Sequence, residues 1–225
     1  MTPPHLPILV VETAAKTSHV CLLLHGGGGA PEEFSALIPS ITPPGLGIRY
    51  VMPYAPEIAL TLFDKQRMRA WYDVVDANLE SQQDTPGIEI SLQAVLSLIE
   101  TEHDQGAPYD KILVGGFSQG GALALLAALC SPAPLAAAFC LSGYLLQRDT
   151  PPVRAENRQS PIFIAHGLYD DLVPVRLAEK ACSTLRNLQF DVTWNPHPAG
   201  HQVSTEILLA LQQWLARACT PRSTT

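Results

Sequence analysis

Short runs of valine, isoleucine and leucine, each stopped by glycine or proline, alternate along this chain with stretches of helical spacing. That alternation constrains the fold more than any other feature. The runs are ILVVE, VCLLLHG, IRYVMP, KILVGGF, AAAFCLSG, PIFIAHG and FDVTWNP. Several are continuously apolar rather than alternating, the pattern of a strand buried on both faces. Between them, SLQAVLSLIETEH sets Leu92, Val95, Leu96 and Ile99 on one helical face, and LAEKACSTLRNL does the same with Leu177, Ala181, Leu185 and Leu188. VSTEILLALQQWLARAC supplies a last helix. Strand and helix in turn predict an α/β sandwich of three layers, a mostly parallel central sheet flanked by helices. In such sheets reactive groups gather beyond the carboxyl ends of the strands, so the residues just after each strand are the ones to inspect.

Composition narrows the class. With 225 residues, 47% apolar and 16% charged, the chain has material for one substantial core, and a single domain over 1–225 with frayed ends near 1–6 and 219–225 is expected. A formal charge of −7 without a Lys/Arg cluster argues against nucleic acid. Cys21, Cys130, Cys140, Cys182 and Cys219 form no CxxC pair, so buried reduced thiols are expected rather than a zinc or redox site. MTPPHLPILVVET lacks the basic and apolar regions of a signal peptide, and runs such as LALLAALC are short for a membrane span. A cytoplasmic location without integral membrane association is the expectation. The stretch around Pro151 and Pro152 reads as a surface connection.

The run KILVG delivers Gly116-Phe117-Ser118-Gln119-Gly120, a G-x-S-x-G pattern. There a serine occupies a sharp strand-to-helix turn, and flanking glycines let neighbouring backbone pass without a clash. The turn exposes Oγ at a helix N-terminus, where unpartnered N–H groups favour negative charge. A glycine-rich turn with a capping serine would read the same over five residues. The strand before it and the helical GALALLAALC after it favour a nucleophile.

A serine hydroxyl needs a base, and the base needs an orienting acid, in the chain order Ser, Asp or Glu, His. PIFIA is followed by His166-Gly167-Leu168-Tyr169-Asp170-Asp171, and FDVTW by a segment reaching His197-Pro198-Ala199-Gly200-His201. Chemistry alone leaves the histidine and the aspartate both open, Asp171 also as a cap for a helix beginning near Pro174. His197 and His201 stand four apart, but Pro196 and Pro198 forbid the helix that a metal pair at that spacing uses, so no metal is expected. His166 reads as a satisfied core histidine at a strand end. After VCLLL, His25-Gly26-Gly27-Gly28-Gly29 lets backbone N–H groups approach a substrate oxygen, with the N–H of Gln119 as a second donor. A phosphate loop is disfavoured, because no lysine follows and Pro31-Glu32-Glu33 would repel the anion.

Together, LLLHGGGG, MPYAP, MRAWYD, ILVGGFSQGGALAL, HGLYDDLVP and the AGH before the last helix resemble the α/β-hydrolase superfamily. Within it the chain is similar to the phospholipase/carboxylesterase family that includes the acyl-protein thioesterases, from about Val20 to Leu215. The resemblance implies Ser118 as nucleophile, His201 as general base and Asp170, the aspartate of HGxxDxxVP, as the orienting acid. It also implies Gly27 and Gln119 as backbone donors to the oxyanion, and Trp71 as a lining residue of an acyl-binding cleft. Gly28, Leu172 and Val173 are expected beside the substrate as well. The implied activity is hydrolysis of carboxylic esters or thioesters through an acyl-enzyme, with a small-molecule ester or acyl thioester as substrate and no cofactor. Acyl-protein thioesterase or lysophospholipase action on long chains is the alternative. A non-catalytic binding protein of this fold is disfavoured, because no triad member is missing. An apolar cleft near Trp71 would suit lipid or a second copy, which leaves a homodimer open.

Overall fold

The computed structural model describes residues 5–80, 82–146 and 154–220; the Pro151–Pro152 stretch and the tail beyond Thr220 lie outside them. The chain runs through β1 (Ile8–Glu12), β2 (His19–Leu24), short helices α1 (Pro31–Ser35) and α2 (Ile38–Ile41), β3 (Ile48–Pro53), a hairpin of β4 (Glu57–Leu60) and β5 (Gln66–Arg69), and α3 (Thr85–Asp104). It continues through β6 (Ile112–Phe117), α4 (Gln119–Cys130), β7 (Ala137–Leu141), β8 (Ile162–Gly167), α5 (Val175–Asn187), β9 (Val192–His197) and α6 (Thr205–Ala218). Each apolar run of the sequence holds one strand of a seven-stranded sheet in the order β1-β3-β2-β6-β7-β8-β9. Only β1 is antiparallel to its neighbour, and the other pairs run parallel.

The continuous apolarity of the strands has its expected cause. Val20, Leu22 and Leu24 of β2 face a core shared with α3, α4 and α5. The alternate residues Cys21 and Leu23 face a second core with α1, α2 and α6. Both faces of the sheet are covered, which is the three-layer arrangement. Helix α4 is buried from Gln119 to Leu129, so it needs no polar stripe. Each of its buried leucines contributes on the order of 1.5–3 kcal/mol. Two of the peripheral helices are capped by side chains: Asp84 accepts from the Gly87 N–H at the start of α3, and Ser204 from the Ile207 N–H at the start of α6.

The chain leaves β2 toward β3 on one side, and β6 pairs with β2 on the other, so the strand order reverses at β2. A crevice opens at such a reversal, outside the carboxyl ends of the strands. Here it lies between the ends of β2 and β6, and it is narrow. A Cβ on Gly120 would sit 2.3 Å from the Leu24 carbonyl oxygen, and one on Gly116 would sit 2.5 Å from the same atom. Neither glycine has a positive φ, so both serve close approach rather than an unusual turn.

Gly120→Ala is expected to lower stability by about 3 kcal/mol, because backbone rather than a yielding side chain must move. Gly27→Ala places its Cβ at an ordinary 3.6 Å from Gln119 Oε1 and should unfold near the wild-type urea midpoint. Equal midpoints for the two variants would contradict the close-approach argument.

Candidate active site

Ser118 links β6 to α4 with φ 53° and ψ −121°, a conformation that costs a non-glycine residue on the order of 1–3 kcal/mol. Two bonds hold it there: its N–H donates to Leu141 O at 2.8 Å, and its carbonyl accepts from Ala122 N–H at 3.0 Å. The hydroxyl makes no capping bond to α4, and instead Oγ lies 2.9 Å from Nε2 of His201. The glycine-flanked serine is therefore turned toward an imidazole rather than used as a helix cap.

His201 stands in the loop after β9, its ring tilted against Phe117 with centroids 4.8 Å apart. Its Nδ1 lies 2.7 Å from Oδ2 of Asp170. A carboxylate only accepts, so Nδ1 carries the proton and Nε2 offers its lone pair to the Ser118 hydroxyl. Asp170 is buried in the turn after β8, and its Oδ1 accepts from the N–H groups of Leu172 at 3.0 Å and Val173 at 2.7 Å. Asp171 points into solvent. Of the two aspartates left open by chemistry, Asp170 is the one that faces His201.

His166 has more to do than the sequence reading allowed. Its Nε2 donates to the Val173 carbonyl at 2.7 Å and lies 3.3 Å from Asp170 Oδ2, while its buried Nδ1 has no partner. Burial holds its pKa below the ordinary 6.5, so the ring stays neutral against the carboxylate. His197 is buried at the end of β9, and both of its ring nitrogens lack partners among the described residues. Among the described residues no group of three or more His, Cys, Asp or Glu is placed to hold a metal ion.

The loop after β2 brings Gly27 beside Gln119. Gly28 N–H donates to Arg69 O at 2.7 Å, whereas the N–H groups of Gly27 and Gln119 have no protein partner among the described residues. The Gln119 side chain is a brace that the sequence reading missed. Its Oε1 accepts from Trp71 N–H at 2.8 Å and its Nε2 donates to Tyr72 O at 2.7 Å. Trp71 reaches the other donor loop, its indole N–H donating to His25 O at 2.8 Å. His25 secures that loop further, with Nδ1 2.7 Å from Gly26 O and Nε2 accepting from Ala55 N–H at 3.0 Å.

A cavity of about 210 Å³ opens beside these groups. Ser118, Gln119, Gly27 and His201 border it, and its remaining wall is largely apolar. Leu60, Leu62, Phe63 and Met68 come from the hairpin and its turn, Leu172 and Val173 from the turn after β8. Two expected lining residues are displaced. Trp71 is 2% exposed and stands behind the cavity wall, because its indole N–H needs a buried acceptor and finds His25 O. Gly28 is turned toward β5 by its bond to Arg69 and stays off the wall. The hairpin itself escaped the sequence reading: its Asp64-Lys65 turn has φ of 51° and 59°, values whose usual signal is Asn-Gly.

A reversed parallel sheet covered on both faces, with a serine on the sharp turn after a central strand, is an α/β-hydrolase. The family profile described as phospholipase/carboxylesterase matches residues 7–219, and the chain belongs to that family. It is a serine hydrolase of the carboxylesterase/thioesterase kind. It is 33% identical over 188 residues to acyl-protein thioesterase 1 of Gibberella zeae, covering 78% of this chain and 79% of that one. It is 32% identical over 225 residues to acyl-protein thioesterase 1 of Kluyveromyces lactis, covering 95% and 99%. Among solved structures, Zea mays acyl-protein thioesterase 2 superposes with a TM-score of 0.82 at 27% identity, over 96% of this chain and 100% of that one. Arabidopsis thaliana SOBER1 shares the fold, with a TM-score of 0.84 at 24% identity over 90% and 99%. No helix among the described residues is long and apolar enough to cross a membrane.

The buried histidines generate a pH dependence. His19, His25 and His166 all have pKa values lowered from 6.5, with burial as the first cause of each. The unfolded chain therefore binds more protons than the folded one below that value, and stability rises with pH in this window. Their contribution is complete above 6.5 and is lost as pH falls through the folded-state values. The urea midpoint should be level between about pH 7 and 8 and fall toward about pH 5. A midpoint constant down to about pH 5 would contradict the neutral assignment of these rings.

Proposed function

We propose that the protein hydrolyses acyl esters and acyl thioesters through an acyl-enzyme formed on Ser118. The observation that carries this reading is the unbroken line from Ser118 Oγ to His201 at 2.9 Å and on to Asp170 at 2.7 Å, at the mouth of an apolar cavity. In the first half-reaction His201 Nε2 takes the hydroxyl proton as Oγ attacks the acyl carbon. Asp170 keeps the tautomer that makes this transfer possible and stabilises the imidazolium. The N–H groups of Gly27 and Gln119 hold the oxyanion, each worth on the order of 3 kcal/mol in the transition state. Collapse expels the alcohol or thiol, which takes the proton back from His201. In the second half, water attacks the acyl-serine with His201 again as base, releasing the acid and restoring the hydroxyl.

The cavity bounds the acyl group. A methylene fills about as much space as a water molecule, ~30 Å³, so 210 Å³ takes about seven such groups. Acyl chains of about eight carbons fit, and longer ones leave part of the chain in water. The names of the Gibberella zeae and Kluyveromyces lactis relatives, both acyl-protein thioesterases, support a thioester as the natural linkage.

Ser118→Ala should unfold at or above the wild-type urea midpoint and lose turnover of p-nitrophenyl octanoate by on the order of 10⁴-fold or more. It should also lose labelling by a fluorophosphonate probe. Near-full activity in this variant would end the proposal. Asp170→Asn should cost on the order of 10³–10⁴-fold in kcat, against less than about twofold for Asp171→Asn. Equal losses would remove Asp170 from its role.

A further inference from the structure

We propose that Leu79 sets the length of acyl chain the enzyme accepts, by closing a passage from the acyl cavity into a second crevice. The inference rests on the acyl-cavity reading above and concerns how that cavity ends. Val74, Leu79 and Tyr144 belong to the walls of both the cavity and a crevice of about 10 Å³ that opens between the 73–83 loop and Tyr72. The two spaces are thus divided by these three side chains.

All three are held by hydrogen bonds, Leu79 through its N–H to Asp76 O at 3.4 Å and its carbonyl, which accepts from Gln83 Nε2 at 2.9 Å. The Tyr144 hydroxyl lies 3.0 Å from that of Tyr72, and both rings are buried, so swinging Tyr144 aside would strand two hydroxyls. Val74 forms a β-bridge with Gln83, and its carbonyl accepts from Leu62 N–H at 2.9 Å. Leu79 differs. It sits at φ 57°, a left-handed conformation that suits glycine or asparagine and disfavours a leucine. The side chain is nonetheless 9% exposed and part of the core. A residue whose backbone asks for glycine, yet whose side chain fills a dividing wall, points to a use for the side chain. The turn is braced from outside as well, since the adjacent Glu80 accepts from Arg176 at 2.9 Å and from Lys180 at 2.6 Å on α5.

With Leu79 in place, the chain terminus meets a closed wall. Without its side chain the cavity and crevice join, and the end of a longer chain passes through to the surface. Leu79→Gly removes the plug and at the same time relieves the left-handed backbone, so the variant keeps its fold more readily than most core truncations.

The test is kcat/KM over saturated p-nitrophenyl esters and the matching acyl thioesters from butanoyl to hexadecanoyl. Wild type should peak near octanoyl. In Leu79→Gly the ratio of dodecanoyl to butanoyl kcat/KM should rise by about tenfold or more. Leu79→Met conserves volume and should keep the wild-type profile. Leu79→Phe opens no cavity and should move the peak to shorter chains, which keeps the test decisive if the glycine variant is unstable. Leu79→Gly and Leu79→Phe variants that turn over butanoyl ester in a Ser118-dependent way with an unchanged chain-length profile would overturn the role of Leu79 alone. Absence of any Ser118-dependent hydrolysis in wild type would instead remove the esterase reading beneath it.

Discussion

The contact on which the site depends is the one between the first turn of α4 and the end of β2. Two missing side chains, at Gly116 and Gly120, let the helix rest on the Leu24 carbonyl. That closeness leaves Ser118 no relaxed conformation, and the serine takes up φ 53°. The same closeness brings Gln119 beside Gly27, which is carried by the next strand over. Nucleophile and oxyanion donors are proposed roles, but their adjacency has one mechanical cause. The strain at Ser118 is offset by burial of α4 along its length.

Around that contact the polar and apolar parts of the site are joined rather than merely adjacent. Asp170 accepts from Leu172 and Val173 N–H on one oxygen and faces both His201 and His166 with the other. Val173 also walls the apolar cavity, so the carboxylate and the cavity's apolar surface are set by one turn. On the opposite side, Gln119 and Trp71 tie the two donor loops together through three bonds of 2.7–2.8 Å. Such a brace costs nothing at the moment of reaction, because the donors are already oriented. Neutral His25 and His166 fit the same pattern: each satisfies a neighbour's backbone without adding charge to the site.

Much of this was legible along the chain. The apolar runs named the strands of the sheet because a doubly buried strand has no polar face to hide in the pattern. Ser118 was singled out because a strand end followed by a glycine-flanked serine is a local signal, whereas His201 was singled out over His197 only by the family resemblance. The hairpin was not, since a turn at Asp64-Lys65 is stabilised by context rather than by turn-forming residues. Trp71 was placed on the wrong side of the cavity wall, because no pattern tells whether an indole N–H will find a buried acceptor.

What the sequence by itself determined is the layered sheet and the set of polar residues delivered to its edge, consequences of periodicity and of glycine at particular steps; the reversal of strand order at β2 came only with the tertiary structure. Composition and spacing left Asp170 and Asp171 both open, the family resemblance pointed to Asp170, and in the tertiary structure Asp170 is the one that faces His201. The tertiary structure alone set the volume of the cavity and placed Leu79 across one wall. The physical reason is the same in each case. Neighbours in sequence differ by which way one peptide unit turns, and that direction is settled by contacts with segments tens of residues away.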